Sequence, residues 1–146
     1  MERYETQNNY EIVNISRSAD CLSLRDDKES EGVKFLFLPF LVLDNDEKIA
    51  TTILTSQFMN ENDRPISNEL IVQITFKFSG DLPIVREGEE KVKIQNYADL
   101  LSIFDTTIGA FRGILHEWLN GSSLQQPLPF VDIEEFVKDL RISFSK

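Results

Sequence analysis

Residues 96–121 read NYADLLSIFDTTIGAFRGILHEWLNG, a long segment with a clear helical period. Its large apolar side chains recur at alternating steps of three and four and therefore share one helix face. They are Leu101, Phe104, Ile108, Phe111, Leu115 and Trp118. Asn96 followed by Asp99 is typical of an N-cap. Asn120-Gly121 is a typical stop, because glycine adopts the left-handed conformation without a Cβ penalty. We predict one long helix that organises the rest of the fold.

The opposite face of this predicted helix is lined by small residues. They are Ser102, Thr106, Gly109, Ala110 and Gly113. A glycine inside a helix costs roughly 1 kcal/mol relative to alanine, so two glycines in register indicate a place where another backbone comes close. The alternatives are an exposed face where small residues are merely tolerated, or a break near residues 105–107 that starts a second helix. If the apolar face covers the chain's own core, the small face is free to contact another subunit.

Length and composition indicate one soluble domain over residues 1–146. Hydrophobic residues make up 41% of the chain and charged residues 27%, which is ordinary for a globular protein. The net charge of -10 argues against nucleic-acid binding, which needs a basic surface, and allows a basic protein partner. The polar start MERYETQNNYE does not resemble a signal peptide, and no apolar run reaches the ~18–20 residues that span a bilayer. We expect a cytoplasmic protein without membrane insertion, with residues 1–9 and 142–146 loose.

Four strand-like segments precede the helix. They cover residues 10–24, 33–43, 49–59 and 66–78, and short polar turns separate them. The fourth segment alternates well, with an apolar side formed by Leu70, Val72, Ile74, Phe76 and Phe78. This pattern predicts a four-stranded antiparallel β-meander.

Two local features refine this sheet. Pro39 places the second strand at an edge or at a bulge, since proline cannot donate a ladder hydrogen bond. The imperfect alternation of the first strand predicts a bulge or bend near Ser18.

The segments around the long helix complete an α+β fold. Residues 84–94 form a charged connection in which a short extra strand fits, and residues 122–130 form an extended segment interrupted by proline. Asp132, with Glu135 three residues on, caps a short C-terminal helix. That helix has an apolar stripe of Ile133, Phe136, Val137 and Leu140.

Residues that could carry chemistry are scarce. His116 is the single histidine and Cys21 the single cysteine, so neither a metal site of the usual ligands nor an internal disulfide is expected. A pairing of Cys21 with His116 has no local support, and a buried inert cysteine is far more common. The acidic clusters lack calcium-loop spacing, and no glycine-rich phosphate loop follows a strand. We expect a protein that is not an enzyme and needs no cofactor and no metal.

The eleven phenylalanines carry the strongest functional signal in the composition. A four-stranded sheet covered by about one and a half helices cannot bury both of its faces within one chain. The excess apolar surface must meet another subunit or an apolar partner.

The order of elements resembles the SecB family of export chaperones, from about Tyr10 to Leu140. KFSGDLPI is similar to the family's exit from the fourth strand, with Phe78, Gly80 and Leu82 in the matching places. IGAFRGILHEWLNGSSLQQPLPFVDIEEF resembles the family's long helix, glycine turn and final motif. The matching residues of these last pieces are Arg112, Leu128, Val131, Asp132 and Ile133.

The departures from the family pattern are specific. Ile108-Gly109 stands where the family has a proline–tyrosine start of the helix, and Phe130 occupies the place of the final motif's proline. The aromatic-bearing crossover loop of the family is here the polar RDDKESEG, and Arg25 replaces an acidic residue. These last changes speak against the family's translocation-motor partner, which binds an acidic sheet face. A divergent relative dedicated to one client or to a toxin–antitoxin pair fits better.

The resemblance implies an ATP-independent holdase that binds unfolded or preprotein chains in apolar grooves between the sheet and the last helix. It implies a homotetramer, a dimer of dimers, with the long helices packed at the interface. The implied groove residues are Phe76, Phe78, Leu82, Ile133, Phe136 and Leu140, and an ordinary place in the chain's own core is the alternative for each. Two other functions stay open: a non-catalytic scaffold with one dedicated partner, and a carrier of a small apolar ligand in a phenylalanine-lined pocket.

Overall fold

The computed structural model describes residues 9–24, 33–89, 91–120 and 132–145. The elements are β1 (Tyr10–Arg17), β2 (Lys34–Asp44), β3 (Ile49–Met59), β4 (Leu70–Phe78), β5 (Ile84–Arg86), β6 (Val92–Ile94), α1 (Tyr97–Leu119), α2 (Ile133–Lys138) and β7 (Arg141–Ser145). The predicted α+β class is confirmed, with four antiparallel strands followed by a long helix and a short C-terminal helix.

The strand order of the main sheet is β1-β4-β3-β2-β7. Strands β2, β3 and β4 form the predicted meander, but β1 pairs with β4 and not with β2, so the expectation of a four-strand meander in sequence order is wrong. After β1 the chain runs along the ends of β4 and α1: Ser18 N donates to Ile71 O, and Leu22 N donates to Trp118 O, both at 2.9 Å. These bonds lead the chain away from β1 and allow the crossover.

Strand β1 contains one irregularity and is followed by another. Its register against β4 shifts between Ile12 and Asn14, which places a bulge at Val13. The strand ends at Arg17 and the chain bends at Ser18, so the prediction of a bulge or bend near Ser18 is confirmed by the bend. A bulge inserts one unpaired residue and increases the local twist of an edge strand.

Strand β2 is paired along its whole length on one side and along part of its length on the other. Its ladder with β3 runs from Lys34↔Met59 to Asp44↔Ile49. Its parallel ladder with β7 begins at Phe40↔Arg141, one residue after Pro39, so the edge position predicted for Pro39 is confirmed. Residues 142–145, expected to be loose, belong to β7 because Ile142 and Phe144 alternate onto the core side.

Helix α1 lies on one face of the sheet and is continuous from Tyr97 to Leu119, so the alternative of a break near residues 105–107 is wrong. The Asn96 side chain caps it by accepting from Asp99 N at 3.0 Å, as predicted. The alternation of β4 is confirmed, because its five predicted apolar side chains are all buried beneath α1. Gly121 and the predicted extended segment 122–130 lie outside the described residues.

The connection before α1 contains the extra strand that its sequence allowed, as one half of a small hairpin. Strands β5 and β6 pair antiparallel, from Ile84↔Ile94 to Arg86↔Val92, and form a separate two-stranded sheet. Among the described helices, none combines the length and the apolar content needed to cross a bilayer.

Candidate functional site

The six groove residues implied by the resemblance fall into two environments. Phe76, Phe78 and Leu82 are at most 2% exposed and belong to the chain's own core, the alternative that the sequence left open. Ile133, Phe136 and Leu140 are half-buried and pack against the edge of that core. In this chain, accessible apolar surface of the predicted groove is therefore contributed by α2 and the residues next to it.

Two further aromatic side chains complete this surface. Phe35 and Phe37 on β2 are half-buried, and their ring centroids lie 6.3 Å apart. Phe37 is in turn 5.4 Å from Phe136 on α2. We call these three residues the aromatic row. The sequence pattern put Phe35 and Phe37 on the sheet but gave no reason to prefer them over Phe76 and Phe78.

Each ring of the aromatic row rests on a fully buried ring of the core. The pairs are Phe35 on Phe58 at 5.1 Å, Phe37 on Phe111 at 5.2 Å and Phe136 on Phe104 at 5.6 Å. Aromatic pairs at these separations add about 0.5–1.5 kcal/mol beyond the area they bury. The half-buried rings are thus held in place by buried ones, as a preformed apolar site requires.

Local sequence explains why the row forms. Period-two alternation along β2 places Phe35 and Phe37 on the helix side of the sheet, in line with the buried Leu41. The Asp132 carboxylate caps α2 by accepting from Glu134 N at 3.1 Å, which sets the start of that helix. Phe136 then lies beside Phe37 and closes the row.

The aromatic row lies along the first half of β2, whose outer edge pairs with no described strand. Within the described ranges, residues 34–39 of β2 pair with β3 and have no strand on their other side, because β7 starts at Phe40. An exposed strand edge presents free backbone N–H and C=O groups that can pair with another extended chain. We call residues 34–39 the open edge. Its backbone can bind an extended chain while the aromatic row receives that chain's apolar side chains.

A second surface lies between β1 and α1. Tyr10 Oη hydrogen-bonds Ser102 Oγ at one end, and Arg17 Nη1 donates to Glu117 Oε1 at 2.6 Å at the other. The seven residue steps from Tyr10 to Arg17 along β1 and the fifteen from Ser102 to Glu117 along α1 each span about 23 Å. Strand β1 therefore runs alongside the helix between these two contacts. The Glu117 hydrogen bond raises the pKa of the Arg17 guanidinium, which stays charged.

The small helix face predicted from the sequence lies along this run. A Cβ added at Gly109 or at Gly113 would have no contact within 4 Å, so nothing in the described part of the chain covers either glycine. Ile12 and Ile15 face the same side of the sheet as the core but are 45% and 51% exposed. We call the surface formed by Ile12, Ile15, Thr106, Gly109 and Gly113 the helix–strand strip. Of the other two predicted interface residues, Ser102 bonds Tyr10 and Ala110 is half-buried.

The sheet face opposite α1 is nearly uncharged on its central strands. Strand β3 directs Thr51, Ile53 and Thr55 to this face, and neither β3 nor β4 contains a carboxylate. The resemblance implied an acidic sheet face for a motor partner. The two central strands do not supply one, and Arg25 lies outside the described residues.

Residues that could carry other chemistry lie apart from the aromatic row. Cys21 and His116 are both exposed, and in the described part of the chain no group of three histidine, cysteine or carboxylate side chains could hold a metal. A surface cavity of about 320 Å³ is lined mostly by polar side chains, among them Asp81, Gln95 and Asp99. This cavity does not resemble the phenylalanine-lined pocket that a carrier of apolar ligands would need.

Comparison with known proteins gives a similarity of fold. No protein-family model matches the sequence, and no curated protein matches it. The fold is similar to a solved SecB-like chaperone of Mycobacterium tuberculosis in complex with a ChAD peptide from the HigA1 antitoxin. The TM-score is 0.49 and the identity 13%, over 85% of this chain and 89% of the mycobacterial one. A likeness at this level carries no functional argument, which comes instead from this chain's own residues.

Proposed function

We propose that this protein is a SecB-like, ATP-independent chaperone that holds unfolded polypeptide on the open edge. The observation that carries the proposal is the coincidence of a strand edge that no described strand covers with the half-buried aromatic row of Phe35, Phe37 and Phe136. An unfolded chain offers backbone groups and apolar side chains together, and this surface is complementary to both.

Binding needs no nucleotide in this account, because strand pairing at the open edge and burial of apolar area together set association and release. Burying one large apolar side chain contributes about 1.5–3 kcal/mol, part of which offsets the entropy lost by the ordered client. One row therefore binds weakly. Several rows in one assembly raise the effective affinity for a long client without any new kind of contact.

The helix–strand strip supports the assembly part of the proposal, a homotetramer formed as a dimer of dimers. Gly109 and Gly113 allow close approach of another backbone, and Ile12 and Ile15 supply apolar area beside them. Ser102, Thr106 and Ala110 extend the same interface along α1. Each copy would then contribute one open edge to the assembly.

The net charge of the chain and the surface of the sheet indicate which partners to propose. A cytoplasmic holdase with a net charge of -10 resists self-association through its polar surface and attracts basic segments of clients. The face of β3 and β4 opposite α1 lacks carboxylates, which supports a narrower form of the proposal. In that form the chaperone serves one dedicated client, such as the antitoxin of a toxin–antitoxin pair, and does not deliver preproteins to a motor.

The test is a holdase assay without ATP. Reduced and carboxymethylated α-lactalbumin, which cannot refold, is titrated against the protein, and fluorescence anisotropy reports complex formation. Native α-lactalbumin is the matched control. The proposal expects saturable binding of the unfolded form and none of the native form. Binding of neither form, or equal binding of both, contradicts it.

A further inference from the structure

Strand β7 occupies the continuation of the open edge. It pairs with residues 40–44 of β2, directly after residues 34–39, so the two halves of one strand edge have different occupants. Ile142 and Phe144 point to the core side, while Arg141, Ser143 and Ser145 are exposed. This alternation of apolar and polar side chains on an extended backbone is the pattern that the proposed client would present.

Strand β7 is held by its five-residue ladder with β2 and by the half-buried Ile142 and Phe144, and its other contacts among the described residues are weak. The Ser145 hydroxyl donates to Leu43 O at 3.4 Å. The guanidinium of Arg86 lies 4.8 Å from the ring centroid of Phe144, and that of Arg141 lies 5.8 Å from the ring centroid of Phe40. The ladder is parallel, a pairing slightly less stable per residue than an antiparallel one.

The element before β7 is weakly held as well. Helix α2 has six residues, and Val137 is its one buried residue. A helix this short is unstable by itself. Segments with few buried apolar side chains open locally at a lower free energy than global unfolding. Residues 132–145 therefore form a unit that can leave the sheet while the core beneath α1 stays folded.

We propose that β7 is an internal competitor for the client-binding edge and must leave β2 before a client pairs along the whole strand. This inference rests on the proposed function, since it concerns regulation of the same edge. Pro39 divides the two halves, because it donates no hydrogen bond and the β7 ladder begins one residue later. With β7 in place a client reaches residues 34–39 alone; with β7 released it also reaches residues 40–44.

The apparent affinity for a client that pairs along the whole strand is the intrinsic affinity multiplied by the fraction of molecules in which β7 is released. Weakening β7 therefore strengthens client binding, and fixing β7 to β2 weakens it. If β7 had only a structural role, neither weakening it nor fixing it to β2 would change client binding in this way.

The test fixes β7 with a reversible disulfide in the full-length chain. Val42 and Ser143 are paired residues of β2 and β7, and directly paired strand positions lie within the usual Cα separation of a disulfide. The variant is Val42→Cys with Ser143→Cys in a Cys21→Ser background. The control carries Ser143→Cys alone in the same background. Each is titrated with fluorescent carboxymethylated α-lactalbumin before and after reduction.

The proposal expects the oxidised double-cysteine variant to bind at least about tenfold more weakly than its reduced form, a difference of about 1.4 kcal/mol. The single-cysteine control should bind equally in both states, and Phe144→Ser should bind the client more tightly than the parent chain. Equal affinity of the oxidised and reduced double variant overturns the role of β7 while leaving the proposed function intact. If no variant binds in either state, the proposed function fails and this inference fails with it.

Discussion

Arg17 at the end of β1 donates a 2.6 Å hydrogen bond to Glu117 near the end of α1. Together with the contact between Tyr10 and Ser102, it fastens an edge strand along the helix at two points. Between these points Ile12 and Ile15 are left exposed, and no described residue covers Gly109 or Gly113 on the helix. The two contacts thus hold open a surface that a second copy of the chain can cover.

The Gly113→Leu variant tests the stability of the single chain and the stability of the assembly independently. Glycine is less favourable than leucine in a helix by up to about 1 kcal/mol, and a Cβ here has no contact within 4 Å with other described parts of the chain. We expect an unchanged or higher melting temperature and a mass, by light scattering on a sizing column, that falls from about four chains.

Ala98→Leu is the matched control, because it adds a leucine to the exposed N-terminal turn of α1, outside the helix–strand strip. We expect its mass to equal that of the parent protein. A Gly113→Leu protein that keeps the parent mass would contradict the proposed interface.

Thr52 on β3 and Thr107 on α1 form a buried hydroxyl pair, with 2.7 Å between their Oγ1 atoms. Thr107 donates to Ile103 O at 2.6 Å, which leaves Thr52 as the donor between the two. We expect Thr52→Val and Thr107→Val each to lower the free energy of unfolding by about 0.5–1.5 kcal/mol. The double variant should lose less free energy of unfolding than the two single variants lose together, because the hydrogen bond that the two side chains share is lost only once. Urea unfolding of all four proteins measures this, and strict additivity would show that the pair is not coupled.

The contrast between Phe76 and Phe37 shows how far alternation can predict the site. Both are phenylalanines on the core side of a strand, and period two correctly assigns that side. Exposure depends on where the strand lies in the sheet. Strand β4 is central and lies beneath α1, whereas residues 34–39 of β2 are at an edge. Sequence pattern alone therefore favoured Phe76 and Phe78 as much as Phe35 and Phe37.

Local sequence patterns also do not predict the order of the strands in the sheet. The long helix, the Asn96 cap and the alternation of β4 are local patterns, and the sequence predicts them correctly. Pairing of β1 with β4 is a relationship between distant segments, and no short-range signal in either strand specifies its neighbour. Residues 141–145 alternate between polar and apolar side chains, but so short a pattern does not specify pairing with the distant β2.

Phe136→Ser tests the contribution of α2 to client binding. Phe136 is half-buried and touches Phe37 and Phe104, so removing its ring shortens the aromatic row without opening the sheet. We expect roughly a tenfold weaker affinity for carboxymethylated α-lactalbumin, since part of one large apolar contact is lost. Circular dichroism should show the parent fold. Unchanged affinity would mean that α2 does not form part of the binding surface.

The central claim is that clients bind the core-side face of the open edge, and Phe37→Ser measured beside Leu36→Ser tests it most directly. The two residues are adjacent in the same half of β2, and their side chains lie on opposite faces of the sheet. Anisotropy titration with carboxymethylated α-lactalbumin should give Phe37→Ser an affinity about tenfold or more below the parent. Leu36→Ser should stay close to the parent value. Equal affinities for the two folded variants would contradict the account.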